Sequence, residues 1–347
     1  MPYPLIKTVM TNWDNEARKP GAGHTFYGSS PAAYAKWLRR VLVDTVRRRE
    51  TTPSSPPFVF INAWNEWAEG AHLEPDRRYG YAYLHTTANL LRNITPVDPE
   101  VSAIVADTQA GFRKRSDVAI VAHIHYDDLF PEMLRYVRNV PGSDVFVSVR
   151  SDISLEACRR IVGSLPGCRL AIFENRGRDI QPFLAHHHLL SQLGYEVACK
   201  IHAKKSTHRA DGTNWRQGAL SDLLGTNARA GDVIRRFRTE PSLGLLSPAG
   251  ALLNLEEPDL HAFNRAWLDK LLARAGHGDL AGSYRFKFVA GSMFWYRVAA
   301  LKDLRRLAID ASDFEEELGQ VDGTLAHALE RMMGLIAERA GFSIGEV

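Results

Sequence analysis

Four clusters of cationic, imidazole and carboxylate side chains lie in the middle of the chain, each directly after a run of apolar residues. The clusters begin at His123, Arg150, Asn175 and His202. Arginine and lysine side chains bind phosphate oxygens. If the apolar runs are parallel strands, their carboxyl ends share one edge of a sheet, and open α/β sheets bind ligands there. The pattern therefore predicts a site for an anionic, phosphate-bearing ligand.

The fourth cluster carries the strongest signal. In a strand over 196–202 the side chains alternate, so Lys200, His202 and Lys204 would share one face. A lysine buried on a sheet face is costly without an anionic partner, and a diphosphate would be such a partner. We therefore predict that His202, Lys204 and Lys205 bind the ligand. The alternative is a solvated lysine-rich turn, above all for Lys205.

The third cluster is the turn Asn175–Asp179, NRGRD. Gly177 would allow a positive φ or the close approach of a ligand. Arg178 can donate a rigid fork to a phosphate or to a pyrimidine base. Asp179 has two equal interpretations, ligand binding or the N-cap of the helix that follows. We predict that Asn175, Arg178 and Asp179, together with His123, bind substrate.

An aromatic segment near the end of the chain is a candidate for sugar binding. Residues 288–297, FVAGSMFWYR, predict a strand in which Gly291 and Ser292 leave space beside a ligand. Trp295 and Tyr296 would then stack on a sugar on the acceptor side. The alternative is a buried strand with a glycine bulge.

Three carboxylates are candidates for catalysis. Asp322 precedes a predicted helix, where it would be either an N-cap or a catalytic base. Glu66 and Glu69 follow a predicted strand and alternate with tryptophans. In a helix they would share one face at about 5–6 Å between Cβ atoms, a spacing that suits two carboxyls flanking a glycosidic bond. The alternative is a loop in which they pair with Arg77 and Arg78.

Apolar periodicity supplies the elements that would position these groups. The first region predicts strands at 5–10 and 58–63 and helices at 31–49 and 79–92. The second predicts strands at 118–123, 144–149, 169–174, 196–202, 243–247 and 288–296, and helices at 129–140, 153–165, 180–193, 298–307 and 322–340. This alternation indicates an α/β fold with a parallel, doubly wound sheet.

The domain organisation follows from one change in composition. Residues 92–117 show no clear period and contain two prolines. We therefore predict a first domain over 1–95, a linker over 96–116 and a second domain over 117–347.

Composition narrows the class of function. The chain has 347 residues and a formal net charge of +3, so no basic field indicates nucleic acid. Three cysteines without metal-ligand spacing and no signal-peptide pattern predict reduced thiols in the cytoplasm. No apolar run approaches the ~20 residues that span a bilayer.

The first region resembles a known domain. The segment NAWNEWAEGAHLEPD, followed by RYGYAYL, is similar to the C-terminal end of the WbsX-like domain, itself similar to glycoside hydrolase family 99. The resemblance places Glu66 and Glu69 on the two carboxylate positions of that family. Its fold is a (β/α)₈ barrel of about 250 residues, so residues 1–95 would be an incomplete barrel fragment.

The second region resembles another family. The motifs FENRGRDIQPFL, KIHAKKS, FVAGSMFWYR and DGTLAHALER, in this order, are similar to the rhamnan synthesis protein F family over roughly 117–345. Their order also resembles that of GT-A glycosyltransferases. The resemblance implies a GT-A-like open, mainly parallel sheet with flanking helices. It also implies a rhamnosyltransferase that uses dTDP-rhamnose to build lipopolysaccharide O-antigen or rhamnan, with Asp322 as the base.

The resemblance departs from the GT-A pattern at one point. The Asp-x-Asp metal motif is missing, and the corresponding strand end reads His202-Ala203-Lys204. We therefore predict no bound metal or other cofactor, with these cations stabilising the leaving diphosphate. Lipid-linked or polysaccharide acceptors would imply weak peripheral association with the inner face of the plasma membrane. The alternatives are a carbohydrate-hydrolysing protein and a non-catalytic scaffold of polysaccharide assembly.

Overall fold

The chain forms two compact units in a computed structural model that describes residues 5–94, 97–203 and 212–347. The first unit comprises Met1–Pro96 and Glu316–Val321, and the second comprises Val97–Glu315 and Asp322–Val347. Each unit has its own apolar core. A short segment near the end of the chain therefore belongs to the first unit, whereas the residues on both sides of it belong to the second.

The first unit is built from two helices and two pairs of strands. Its elements are β1 (Lys7–Met10), α1 (Pro31–Thr51), β2 (Val59–Asn62), β3 (Asn65–Glu66), β4 (Ala71–His72) and α2 (Ala82–Ile94). Strands β1 and β2 pair in parallel, and β3 pairs with β4 in antiparallel fashion. Helix α1 begins as its sequence predicts, because Ser30 accepts a hydrogen bond from the backbone of Ala33 at 3.2 Å and Pro31 occupies the first helical position.

The segment Glu316–Val321 packs within the first unit. Asn89 Nδ2 donates to the backbone oxygen of Glu317 at 2.6 Å, and Arg39 pairs with Glu316 at 3.3 Å. Leu318 packs against the core of this unit. The segment thus contributes both polar and apolar contacts to it.

A seven-stranded sheet forms the centre of the second unit. Its strands are β5 (Val118–Ile124), β6 (Asp144–Arg150), β7 (Arg169–Phe173), β8 (Val197–Ala203), β9 (Leu243–Ser247), β12 (Phe294–Arg297) and β13 (Ser343–Glu346), in the order β13-β9-β12-β8-β5-β6-β7. Strand β12 runs antiparallel to both neighbours, and the other neighbouring pairs are parallel. The predicted mainly parallel α/β sheet is confirmed. A separate antiparallel pair consists of β10 (Leu252–Asn254) and β11 (Lys287–Val289).

Helices cover both faces of this sheet. They are α3 (Pro99–Gly111), α4 (Phe130–Val137), α5 (Leu155–Ser164), α6 (Ile180–Gln192), α7 (Gly212–Leu224), α8 (Asn227–Thr239), α9 (Pro258–His261), α10 (Arg265–Ala275) and α11 (Leu325–Arg339). One core joins the sheet to α6, α10 and α11, and the other joins it to α4, α5, α7 and α8. Both faces of the sheet are therefore buried, which explains its continuous apolar strands.

Helices α7, α8 and α10 and strand β13 lie where no element was predicted, and three further segments differ from the prediction in their conformation. Residues 99–111, within the predicted linker, form a helix that Asp98 caps by accepting from Glu100 N at 2.8 Å. Residues 288–296 form two short strands, because Gly291 and Ser292 have φ angles of 80° and 59° and interrupt the extended backbone. Residues 298–307 are a 3-10 helix instead of an α-helix. Backbone conformation at these points overrides the apolar pattern.

Replacing Asp144 by Asn is expected to destabilise the second unit by about 2–4 kcal/mol. This carboxylate has no exposed surface and accepts hydrogen bonds from the backbone of Arg115 at 2.8 Å and from Tyr195 Oη at 2.7 Å. The NH₂ group of an asparagine cannot accept a hydrogen bond, so one of the groups that donate to the carboxylate would lose its acceptor. Urea unfolding measures the loss, with Asp232→Asn in an exposed ion pair as the control. Equal effects of the two changes would contradict the prediction.

Candidate functional site

The order of the sheet changes direction between β5 and β8. Strands β6 and β7 extend it on one side of β5, whereas β8 and the later strands extend it on the other. Such a switch point opens a crevice outside the carboxyl ends of the strands, where α/β proteins bind ligands. Tyr126 N donates to Ala203 O at 3.4 Å across the ends of these two strands. This crevice is the candidate site.

Three polar side chains lie side by side beneath the crevice. Strand register pairs His123 with both His202 and Ser148, and all three residues are buried. His123 Nδ1 lies 3.0 Å from Ser148 Oγ. Burial holds the pKa of His123 well below its usual range, although the nearby charge of Asp179 opposes the shift. His123 is therefore a neutral, hydrogen-bonded group at physiological pH.

The buried lysine of β8 has a partner within the protein. Lys200 Nζ donates to Asp179 Oδ2 at 2.5 Å, to Ser292 O at 2.6 Å and to Ser292 Oγ. Ser292 Oγ in turn donates to Asp179 Oδ2 at 2.8 Å. The predicted alternation is confirmed, because Lys200 and His202 lie on the sheet face opposite Cys199. The anionic partner of this lysine is a carboxylate and not a diphosphate.

This ion pair gives Asp179 a structural role that the sequence did not predict. Its side chain makes no capping hydrogen bond to α6. Instead, it joins the first turn of that helix to β8 and to the turn before β12. Asp179 is thus a buried link between three segments that lie far apart in the sequence.

The turn Ala290–Met293 is fixed from several sides. His202 Nε2 donates to Gly291 O at 2.8 Å, and Glu330 accepts from Gly291 N at 2.6 Å. A Cβ atom at Gly291 would lie 1.9 Å from the ring of Trp215. The predicted space at this glycine is therefore filled by an indole ring, and His202 uses Nε2 to hold the backbone.

The two aromatic residues predicted for the acceptor side are core residues. Trp295 and Tyr296 have no exposed surface. Trp295 Nε1 donates to Leu223 O at 2.9 Å, and the ring of Tyr296 packs 5.6 Å from that of Phe183 on the other face. The physical reason is that β12 lies between β8 and β9 inside the sheet, with helices on both faces. Neither ring can contact an acceptor in this structure.

An imidazole links the NRGRD turn to Asp322. Arg178, with φ of 56°, places Nη1 2.8 Å from His327 Nε2. His327 Nδ1 lies 2.8 Å from Thr324 Oγ1 and 3.7 Å from Asp322 Oδ1. A guanidinium and a backbone N–H can only donate, so Arg178 Nη1 faces His327 Nε2 and Thr324 N, at 3.3 Å, faces His327 Nδ1. The sequence marks His327 only as a residue of the first helical turn.

Asp322 is held at both carboxylate oxygens. Asn264 Nδ2 donates to Oδ1 at 2.8 Å, and Arg331 Nη2 donates to Oδ2 at 3.1 Å. The N-cap of α11 is Thr324, which forms a capping box with His327. Asp322 is therefore not a cap, and 23% of its side chain is exposed. No sequence motif marked Asn264, which lies in a loop about 60 residues upstream.

The other predicted contacts divide into two groups. In the first group, Asn175 is buried just after the end of β7. Arg150 forms a bidentate ion pair with Asp152, in which the nitrogen–oxygen distances are 2.9 and 2.8 Å. The second group, Lys204 and Lys205, lies outside the described residues. The glycine of the NRGRD turn has a positive φ, as predicted, and its close neighbour is the ring of Phe314.

Glu66 and Glu69 of the first unit share one partner. Arg18 donates to Glu66 Oε1 at 2.9 Å and to Glu69 Oε1 at 3.1 Å. The predicted pairing with the two arginines at positions 77 and 78 is not observed among the described contacts. A cleft of about 610 Å³ in this unit is lined by residues that include Asp14, Gly70 and His72, but by neither glutamate.

Metal-binding groups of side chains and membrane-spanning helices are both absent from the residues that the structure describes. Within residues 5–94, 97–203 and 212–347, no three His, Cys, Asp or Glu side chains form a group that could hold a metal ion. Over the same residues, no helix combines the length and apolar character that crossing a bilayer requires. The structure thus offers no metal-ligand set within these ranges.

Comparisons with known proteins divide the chain in a similar way. Residues 87–342 match the family described as rhamnan synthesis protein F, and residues 1–87 match the family described as glycosyltransferase WbsX. The chain is 38% identical over 348 residues to "Uncharacterized protein WxcX" of Xanthomonas campestris pv. campestris strain B100. A protein of the same name from strain ATCC 33913 is equally similar. Each alignment covers 99% of this chain, which spans about half (47%) of the length of these relatives.

Proposed function

We propose, because the chain belongs to the rhamnan synthesis protein F family, that its second unit is a glycosyltransferase of polysaccharide synthesis. More specifically, we propose a rhamnosyltransferase that uses dTDP-rhamnose to extend a lipid-linked or polysaccharide acceptor of O-antigen or rhamnan. The proposal places the reaction in the cytoplasm, at the inner face of the plasma membrane, to which the protein would bind only peripherally.

The observation that carries this proposal is the crevice at the switch point. Polar contacts connect several of the segments around it. The NRGRD turn contributes Arg178, which contacts His327 of α11, and Asp179, which pairs with Lys200 of β8. At the end of β8, His202 donates to the backbone of Gly291. A mainly parallel sheet with one antiparallel inner strand supports a GT-A-like fold. A nucleotide diphosphate is an anion of the size and charge that such a crevice accepts.

The proposed chemistry divides between two sides of the crevice. Arg178, with Lys204 and Lys205, binds the diphosphate of the donor and compensates the charge that develops when it leaves. Asp322 accepts the proton of the attacking acceptor hydroxyl. In this proposal the cations replace a divalent metal, so transfer needs no added metal.

The experiment is a thermal-shift and transfer assay with a panel of nucleotide sugars. We expect dTDP-rhamnose to stabilise the protein, and Arg178→Gln to weaken its binding about tenfold or more, because a hydrogen bond to a charged group contributes ~1.5–3 kcal/mol. Arg285→Gln, in an exposed ion pair, is the control. EDTA should leave transfer intact. If no nucleotide sugar stabilises the protein, the proposal fails.

A second candidate function concerns the first unit, which we propose is a WbsX-like barrel fragment over 1–95. In this second proposal Glu66 and Glu69 hydrolyse a glycosidic bond, and the family match over residues 1–87 supports it. Their shared ion pairs with Arg18 also fit a structural role for the two carboxylates. Release of reducing sugar that Glu66→Gln abolishes would support hydrolysis, and its absence would favour a scaffold role.

A further inference from the structure

One large apolar side chain of the second unit lies open to solvent beside the proposed base. Phe263 exposes 77% of its surface, whereas Trp295 and Tyr296 are wholly buried. Phe263 belongs to a short 3-10 turn, Ala262–Asn264. Isolated apolar side chains are common on protein surfaces, so the position of this ring has to decide whether it has a function.

The turn that exposes Phe263 also orients Asp322. Asn264 is fully buried, and its Nδ2 donates to Asp322 Oδ1 at 2.8 Å. The backbone oxygen of Phe263 lies 3.1 Å, and its Cβ 3.5 Å, from the position of a Cβ atom built on Gly323. Phe263 therefore lies directly against the residue that follows the proposed base.

The amide of Asn264 indicates that this arrangement serves orientation more than stability. Its Oδ1 is buried and has no hydrogen-bond partner among the described residues. Such an unsatisfied oxygen costs about 1–3 kcal/mol. The hydrogen bond to Asp322 nevertheless holds the amide in place. The turn therefore stays in contact with the carboxylate, although the unsatisfied oxygen lowers the stability of the fold.

We propose that Phe263 is the platform on which the acceptor sugar stacks, an inference that rests on the proposed function. The C–H face of a pyranose ring is apolar, and it matches the exposed face of a phenyl ring. In this proposal a sugar stacked there lies next to Gly323, the neighbour of Asp322, and Asp322 removes a proton from one of its hydroxyls. Phe263 thereby takes the role for which the sequence suggested Trp295 and Tyr296.

The test measures acceptor binding apart from transfer. Saturation-transfer NMR with methyl α-L-rhamnopyranoside is carried out on the full chain and on Phe263→Ala, Phe263→Trp and Leu193→Ala. Leu193 is another exposed apolar residue of the second unit, 38% exposed at the end of α6. We expect Phe263→Ala to raise the Kd about tenfold, because an aromatic contact contributes roughly 0.5–1.5 kcal/mol beyond its buried area. Phe263→Trp should retain binding, and Leu193→Ala should not change it.

Any other outcome would contradict the proposal that the acceptor sugar stacks on Phe263. Equal binding by Phe263→Ala, or no binding of the rhamnoside by the unaltered protein, would do so. A change in oligomeric state on Phe263→Ala, with sugar binding unchanged, would show instead that the ring contacts a second copy of the chain. Failure of the proposed function is distinguishable, because it would appear as loss of nucleotide-sugar binding while the rhamnoside still binds through Phe263.

Discussion

Lys200→Met is expected to lower the free energy of unfolding by about 3–5 kcal/mol, because it removes the buried cation that pairs with the carboxylate of Asp179. Only 2% of the lysine side chain and 9% of the aspartate side chain are exposed. The change also removes the donor to the backbone oxygen of Ser292. Urea denaturation monitored by tryptophan fluorescence measures the loss.

The double variant Lys200→Met/Asp179→Leu separates stability from function. Replacing a buried ion pair by apolar groups of similar volume is often neutral or stabilising, so much of the lost stability should return. Binding of dTDP-rhamnose should not return, because the NRGRD turn is no longer tied to β8. Arg235→Met, in an ion pair whose side chains are 69% and 61% exposed, is the control and should change stability by about 0–1 kcal/mol. A double variant that binds donor normally would show that the pair is structural only.

Asp322→Asn is expected to lower the rate of sugar transfer by about 10²–10⁴-fold, the usual contribution of a general base. Asparagine keeps the volume and the contact with Asn264 but cannot accept the proton of the acceptor. Affinity for dTDP-rhamnose should fall far less than the transfer rate, because Asp322 is not itself a proposed donor contact, although His327 lies between it and Arg178. Initial rates at saturating donor measure the effect.

The control for this change is Asp279→Asn, an aspartate whose side chain is 71% exposed. It should transfer at the normal rate. An Asp322→Asn protein that also transfers normally would exclude Asp322 as the base. The nearby imidazole of His327 would then be the next residue to replace, since it lies 3.7 Å from the same carboxylate.

The strands β5, β6, β7 and β8 could be predicted well, because each is a short apolar run followed by polar or charged residues. The alternation around Lys200 was also readable, since a strand places every second side chain on one face. The partner of this lysine could not be predicted, because Asp179 lies 21 residues away in the sequence and its position before a helix was equally consistent with ligand binding and with a cap. No local pattern records this tertiary contact.

Helix α8 shows a second limit of what could be predicted from the sequence. Helix α8 contains a glycine, four arginines and an aspartate among its 13 residues, so its buried face is narrow. Its buried residues are Ala230, Val233 and Phe237, at helical spacing. The sequence left open whether Trp295 binds a sugar or belongs to a buried strand, because its burial depends on β12 pairing between two strands that precede it in the chain.

The segment Glu316–Val321 has a consequence for how this protein could be inherited. It belongs to the first unit, although it is encoded just before Asp322 and the last helix of the second. A recombination event at residue 96 would therefore deliver a second unit that still carries six residues of the first. An exchange at that single breakpoint therefore cannot separate the two units cleanly.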